Sequence, residues 1–118
     1  MLIGEYIVKR IVRDLKPADI QTILDDTKMI EKLELFFKAL GDGSRIKILL
    51  ALSTGRLSVQ ALEDITGMSQ SATSHQLKIL KMQNWVKSEK IGKFVFYSLC
   101  DSHTKRIIEQ AMSHMNHE

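Results

Sequence analysis

The sequence contains a single cysteine, Cys100, among its 118 residues. One thiol excludes an intramolecular disulfide, a zinc finger built on cysteines and a reactive pair of vicinal thiols. Scarcity of cysteine also favours a reducing compartment, so we expect a cytoplasmic protein. Cys100 adjoins Asp101, and its thiolate could join a metal site there. A small residue packed at the end of a strand explains it more simply.

Long hydrophobic runs are missing as well. Within the first sixteen residues, Lys9, Arg10 and Arg13 interrupt every apolar stretch that could serve as a signal peptide or cross a membrane. This amphipathic pattern instead predicts a helix on a surface or in a dimer interface. We also find no internal repeat, low-complexity tract or interdomain linker, and we expect no membrane partner.

The composition is that of a globular protein, with 44% hydrophobic and 26% charged residues. It predicts one domain, 1–118, with a small core that a second copy would enlarge. The net charge is +3, but between residues 69 and 99 five lysines accompany one acid, so this region carries +4 and the rest of the chain −1. A positive region suits a phosphate backbone, although charge alone is equally typical of a solubilising surface.

Helical periodicity dominates the first half of the chain. Apolar residues between Asp19 and Leu40 predict one long helix, or two helices joined near residues 25–28. Asp42 is suited to cap the next helix, which Thr54 and Gly55 would end. We expect that helix to face the core through Ile46, Leu49, Leu50 and Leu52.

Two short helices then flank Gly67, whose conformational freedom suits a sharp turn. The first spans residues 58–66, and the second, capped by Ser69, runs to about residue 83. The predicted inward residues of the first helix are Val59, Leu62 and Ile65. Those of the second helix are Thr73, Leu77 and Leu80. Together the pair, residues 58–83, forms a helix-turn-helix.

A β-hairpin is predicted directly after the helix-turn-helix. Residues 86–90 and 94–99 are rich in β-branched and aromatic side chains and flank Ile91, Gly92 and Lys93. The expected fold class is therefore mainly α with a β-hairpin wing (α+β), a homodimeric winged helix-turn-helix with its wing at 86–99. Dimerisation helices are expected in 1–40 and 101–118. A helical hairpin used only for packing is the plainer alternative.

Compact polar side chains share the outer face of the second helix. A helix that enters the major groove needs such side chains to reach base edges and phosphates. Lysines on the wing would neutralise phosphates beside the groove. The sequence therefore predicts double-stranded DNA as a partner. The expected contacts are Gln70, Ser71, Ser74, His75, Lys78, Lys87, Lys90 and Lys93.

The last eighteen residues contain Asp101, His103, His114 and His117. His103 and His114 are eleven residues apart, about 16 Å along a helix, whereas zinc ligands approach the ion to about 2 Å. One chain cannot close this site, but an antiparallel second helix would bring Asp101 and His103 of one copy beside His114 and His117 of the other. Asp101 could instead serve only as a helix N-cap, and any single histidine could be merely solvated.

Three imidazoles and a carboxylate form a donor set that suits tetrahedral Zn(II). The pattern therefore predicts two Zn(II) ions per dimer, with Co(II) as a possible surrogate. The set lacks the thiolates that Cd(II), As(III) or Cu(I) would favour. With four protein ligands the site would be closed and non-catalytic.

Three segments also carry a resemblance to a known family. ALGDGSRIKILLAL at 39–52, MSQSATSHQLKIL at 68–80 and VKSEKIGKFVFYSL at 86–99, with the terminal D-x-H and H-x-x-H, resemble the ArsR/SmtB family of metal-responsive winged-helix repressors. The resemblance implies a homodimer that binds operator DNA and releases it when metal binds. It implies that Ser71, Ser74 and His75 face DNA, and that the four terminal residues form an inter-subunit zinc site.

The resemblance further implies a bond from a ring nitrogen of His114 toward backbone near Asn84. Two departures accompany it. The segment LSVQAL at 57–62 has no cysteine, so the thiolate site of many arsenic, cadmium and lead sensors is missing, and Gly43 replaces a familiar proline. We expect a zinc-responsive repressor and not an enzyme. A metal-independent winged-helix DNA-binding regulator and a zinc-storage protein are the alternatives, whereas a zinc hydrolase would need an open coordination position.

Overall fold

The computed structural model describes residues 17–116. The amphipathic segment 1–16 and His117 therefore lie outside the described residues. Nine elements follow one another in this part of the chain: α1 (Pro17–Leu24), α2 (Thr27–Lys38), α3 (Gly43–Leu52), β1 (Leu57–Ser58), α4 (Val59–Thr66), α5 (Gln70–Met82), β2 (Val86–Ile91), β3 (Phe94–Leu99) and α6 (Ser102–Met115). None of these helices is long and apolar enough to cross a membrane.

The chain divides into two compact units between Glu34 and Leu35, inside α2. The described part of the first unit contains α1 and the start of α2. Gln21 Nε2 donates to Asp25 Oδ1 at 2.9 Å, and Asp26 Oδ1 accepts from a backbone N–H in the first turn of α2 at 3.1 Å. These aspartates end one helix and begin the next, so the second of the two predicted alternatives, a pair of helices, is confirmed.

In the second unit, α3, α4 and α5 each begin at a side-chain cap. Asp42, Ser58 and Ser69 accept hydrogen bonds from backbone N–H groups in the first turns of these helices, which would otherwise lack partners. Gly67 ends α4 at a φ of 73°, in the left-handed region that favours glycine. The helices of the helix-turn-helix therefore begin and end where caps and periodicity predict them.

The wing is the predicted β-hairpin. β2 and β3 pair antiparallel along their whole length, from Val86 opposite Leu99 to Ile91 opposite Phe94. Gly92, in the tip, has a φ of 62°. The hairpin confirms the mainly α fold with a β wing.

A third strand, β1, extends the sheet in the order β1-β3-β2. It consists of only two residues, with Leu57 opposite Tyr97 and Ser58 opposite Phe96. Ser58 is also the cap of α4. The sequence did not predict β1, because two residues are too few to show the alternation that marks a strand.

The core of the second unit is a single apolar cluster. Trp85 lies within it and is 0% exposed. The other buried apolar residues are Ala39, Ile48, Leu49, Leu52, Leu62, Leu77, Leu80, Val86, Leu99 and Ile108. α5 contributes its predicted inward stripe, including Thr73, which is fully buried.

Two predicted core residues are exposed. Ile46 is 39% exposed on the outer side of α3, whose buried side runs through Ile48, Leu49 and Leu52. Ile65 is 61% exposed at the end of α4, where it borders a shallow groove on the surface of α3. Periodicity predicted the correct helices but assigned these two side chains to the wrong side.

Candidate nucleic-acid interface and metal centre

The outer face of α5 carries the polar residues that the sequence assigns to DNA. Gln70, Ser71, Ser74, His75 and Lys78 are all exposed. The opposite face of the helix is buried in the core, so the helix is held firmly while this face stays accessible. Contact with the DNA groove requires that these polar side chains be exposed, and the contact itself stays a prediction.

A cleft of about 430 Å³ lies between the helix-turn-helix and the wing. Gln70 and Ser74 of α5 line one side, and Lys93 of the wing lines another. Six other lining residues were not assigned to the DNA surface from the sequence, and they include Gln60, Glu63 and Phe94. Only the turn at Gly67 and the hairpin pairing bring them there, so no local sequence pattern could have identified them.

Lysines lie along the first strand of the wing, β2, and at its tip. Lys87, Lys90 and Lys93 are exposed, and the ammonium of Lys93 lies 5.7 Å from the ring centroid of Phe94. A lysine held over a ring face keeps its charge near the surface of the tip. The wing therefore presents cations beside the polar face of α5.

Two cationic side chains, Lys81 and Arg56, tie the wing to its surroundings. Lys81 Nζ donates to Ser88 Oγ at 2.7 Å, which joins the end of α5 to β2. Arg56 Nη1 lies 3.2 Å from Glu89 Oε2, and its guanidinium lies 5.2 Å from the ring centroid of Phe96. The one acid counted against the local lysines, Glu89, therefore has its charge offset by Arg56, which lies outside the stretch whose charge was counted.

Asp101 caps α6, as the alternative interpretation of this residue proposed. Its Oδ1 accepts from the N–H of Thr104 at 2.9 Å, and the N–H of Asp101 donates to Thr104 Oγ1 at 3.2 Å. This reciprocal pair of bonds is a capping box. A cap does not prevent ligation, because a carboxylate has two oxygens with several acceptor sites.

His103 lies beside the capping carboxylate. Its Nδ1 is 3.6 Å from Asp101 Oδ1, and both side chains are accessible to solvent. Burial of Asp101 acts to raise the pKa of its carboxyl, but the bond from Thr104 and the neighbouring His103 hold that pKa below its ordinary value of 3.8. The carboxyl is thus kept in the charged form that binds metal.

The described residues supply only part of a metal centre. His114 is exposed in the last turn of the same helix, α6. Among residues 17–116, no group of three His, Cys, Asp or Glu side chains is close enough to hold an ion. Asp101 and His103 would fit a zinc ion, since a carboxylate oxygen and an imidazole nitrogen are ordinary zinc ligands, but the remaining ligands must come from elsewhere.

The sequence matches known bacterial regulators. A profile of the bacterial regulatory protein arsR family matches residues 42–88. The chain is 36% identical over 104 residues to the transcriptional repressor SmtB homolog of Synechocystis, an alignment covering 88% of this chain and 75% of that protein. It is 35% identical over 92 residues to the HTH-type transcriptional regulator NmtR of Mycobacterium tuberculosis, covering 78% and 77%.

Solved structures agree with the fold. A homodimeric winged helix-turn-helix DNA-binding domain from Mycobacterium bovis, described as a possible ArsR-family transcriptional regulator, matches with a TM-score of 0.72 at 26% identity, over 78% of this chain and 89% of that one. The solution structure of apo-NmtR matches with a TM-score of 0.67 at 34% identity, over 79% of this chain and 78% of that one.

Proposed function

Because the chain belongs to the arsR family of bacterial regulatory proteins, we propose that it is a cytoplasmic, zinc-responsive transcriptional repressor. In this proposal the apo homodimer binds operator DNA, and the zinc-bound dimer binds it weakly. The chain is a winged helix-turn-helix regulator and not an enzyme. One observation carries the metal part of the proposal: Asp101 and His103 lie side by side at the start of α6, and His114 lies at its other end.

A second copy of this chain is the partner that would complete the site. Antiparallel α6 helices would bring the start of each beside the end of the other, so that two ions bind per dimer. Large apolar side chains on the surface support such an interface, since exposed apolar patches mark association sites. On α6 these are Met112 and Met115. On α2 they are Met29, Ile30, Leu33, Leu35 and Phe37.

The operator would meet the outer face of α5 and the wing. In a winged helix-turn-helix of this geometry, Ser74 and His75 reach toward base edges, and the wing lysines neutralise phosphates. Two recognition helices in a dimer must match half-sites about one helical turn apart. The distance between them is therefore the quantity that a change in subunit arrangement would alter.

The donor set favours zinc over softer metals. A relative of this chain is named as a cadmium resistance regulatory protein, the CadC homolog of Staphylococcus aureus, 43% identical over 79 residues. Here the described residues include only one cysteine, Cys100, half-buried at the end of β3. Imidazole nitrogens and a carboxylate oxygen favour Zn(II), with Co(II) as a spectroscopic substitute, over a thiophilic ion.

Thermodynamic linkage between zinc binding and DNA binding sets a requirement for this zinc response. Zinc lowers the affinity for DNA only if DNA lowers the affinity for zinc by the same factor, typically a coupling of about 1–3 kcal/mol. Ligands shared across the dimer interface make zinc affinity depend on subunit orientation. The ring nitrogen of His114 that does not bind metal would bond toward backbone near Asn84, just beyond α5, and so orient the imidazole.

The decisive experiment is a titration of the purified dimer against its own promoter DNA, with and without zinc, at one stated salt concentration. We expect zinc to weaken binding of the wild-type protein. His103→Ala and His114→Ala should bind the apo operator normally and lose the zinc effect. Lys105→Ala, an exposed change on the side of α6 opposite His103 and His114, is the matched control and should respond as wild type does.

A second pair of substitutions in the same titration tests the DNA-binding surface. Ser74→Ala combined with His75→Ala should weaken operator binding while zinc still binds the dimer. Full zinc-induced release by His103→Ala would contradict the metal site, and unaltered operator affinity in the double variant would contradict the groove assignment.

A metal-independent regulator is the second candidate function. The capping box favours it, because it explains Asp101 without any metal. This alternative predicts operator binding that is the same with and without zinc, in the wild type as well as in the histidine variants.

A further inference from the structure

Trp85, the chain's single tryptophan, bonds to three parts of the chain that have different tasks in the proposed function. Its backbone N–H donates to the carbonyl of Leu80 in α5 at 2.9 Å. Its carbonyl accepts from the N–H of Cys100, directly before Asp101, at 3.0 Å. Its indole Nε1–H donates to the carbonyl of Phe36 in α2 at 2.8 Å. One buried residue therefore bonds to the DNA-reading helix, to the residue directly before the cap of the metal-bearing helix and to a helix that we assign to the dimer interface.

The indole of Trp85 contacts Phe36 in two ways, by ring stacking and by the hydrogen bond to its carbonyl. The two rings stack with centroids 4.0 Å apart and planes 16° from parallel. The carbonyl of Phe36 belongs to the last turn of α2 (Thr27–Lys38), where carbonyl groups have no partner within the helix. Trp85 satisfies this acceptor from inside the core, where an unpaired carbonyl is costly.

Only the indole bond depends on residue type. Any residue except proline at position 85 could keep the two backbone bonds, and phenylalanine would keep an aromatic ring in the stack. Among apolar core residues, tryptophan alone donates a hydrogen bond from the edge of a large ring. The choice of tryptophan therefore fastens α2 to the helix-turn-helix by a directional bond.

Resting on the proposed function, we infer that Trp85 is a positioning residue for the zinc response. It holds the DNA-reading helix α5 to the dimer-forming helix α2, so that a change in subunit arrangement at the metal site must also move α5. Without the Nε1–H bond, part of that change is absorbed between α2 and the core, and less of it reaches the DNA surface.

The test is Trp85→Phe, which removes the indole donor and retains an aromatic side chain. We expect zinc stoichiometry and apo operator affinity close to those of wild type. The ratio of operator affinities without and with zinc should fall by roughly fivefold, because a lost buried hydrogen bond is comparable in size to the coupling itself. A ratio equal to that of wild type would overturn the inference.

Ile48→Val is the matched control, because it loosens the same core without touching a polar bond. It should leave the ratio unchanged, and an equal drop in both variants would overturn the inference by showing that core stability alone sets the response. If the wild type shows no zinc effect at all, the proposed function fails and this inference fails with it. If zinc weakens operator binding equally in the wild type and in Trp85→Phe, the inference fails while the proposed function stands.

A second measurement needs no substitution. The indole N–H of Trp85 gives a single resonance, since the chain has one tryptophan. We expect slow hydrogen exchange at this proton in both the apo and the zinc-bound dimer, as a bond that transmits movement must persist in both states. Exchange as fast as that of an exposed indole in either state would overturn the inference.

Discussion

Two threonines are buried in the part of the chain that the structure describes, and they differ in whether their hydroxyl groups are bonded. Thr73 Oγ1, on the core side of α5, has no hydrogen-bond partner among the described residues. Thr104 Oγ1 accepts from the N–H of Asp101 in the capping box and also donates to the carbonyl of Asp101 at 2.8 Å. An unbonded buried hydroxyl costs free energy that a bonded one does not.

Thr73→Val should therefore stabilise the fold. The substitution keeps the shape of the side chain and removes a hydroxyl without a partner, so we expect the free energy of unfolding to rise by about 1 kcal/mol. Thr104→Val is the control, and it should lower that free energy by a similar amount. Denaturant titration of both variants checks the pair, and a Thr73→Val protein less stable than wild type would indicate that the hydroxyl is bonded.

Asp101 combines two roles that substitutions can separate. Asparagine caps a helix as well as aspartate does, whereas alanine does not. Asp101→Asn should keep the free energy of unfolding, and Asp101→Ala should lower it by about 1 kcal/mol. Both variants should bind zinc more weakly, because both lose the carboxylate. Stability is measured by denaturant titration without metal, and normal zinc affinity in both variants would leave Asp101 with the capping role only.

The lowered pKa of Asp101 gives its cap a pH dependence. The pKa of the Asp101 carboxyl in the folded chain lies below its ordinary value of 3.8. The charged carboxyl therefore contributes stability at every pH above the pKa that it has in the unfolded chain. This contribution is lost as the pH falls through the folded pKa. We expect the stabilities of wild type and Asp101→Asn to change relative to each other only below about pH 4.

At the scale of elements, the wing is expected to supply affinity and not sequence preference. Replacing Lys87, Lys90 and Lys93 together by alanine should weaken binding to all DNA sequences alike. The plot of log affinity against log salt should become less steep by roughly 0.9 for each lost phosphate contact. Lys105→Ala, an exposed change on α6, should leave the slope unaltered. A changed preference among operator sequences would mean that the wing reads bases.

Elements with a strong local signal were predictable from sequence. The caps Asp42, Ser58 and Ser69 and the turn at Gly67 each act within a few residues, and they define the helices correctly. The strand β1 was not predictable, because its two residues form a strand only by pairing with β3. Capping at Asp101 could be proposed from sequence, but its capping box with Thr104 became visible only in the structure.

Contacts between distant residues account for the rest. The indole bond of Trp85 spans 49 positions of sequence, and Arg56 reaches Glu89 across the sheet. Neither pair shows any spacing in the sequence that would mark it. The predicted zinc site is the reverse case, since the spacing of Asp101, His103 and His114 is evident in the sequence while its completion depends on a second molecule.

At the scale of the whole molecule, the response should depend on having two half-sites. Zinc is expected to act on the distance between two DNA-reading surfaces, so a duplex containing a single half-site should bind the apo and zinc-loaded dimers with nearly equal affinity. The full operator should show the complete zinc effect under the same salt conditions. Equal weakening on both duplexes would mean that zinc distorts each surface separately.

The position of Ser58 explains why we expect zinc to change the distance between the two DNA-reading surfaces and not the surfaces themselves. The same residue pairs with Phe96 in the sheet and caps α4, so the wing and the helix-turn-helix share a backbone joint, and we expect them to move together. In such a dimer each DNA-reading surface would keep its shape, and only the distance between the two surfaces would change. The zinc-loaded protein would then remain a competent reader of DNA, set to a different spacing.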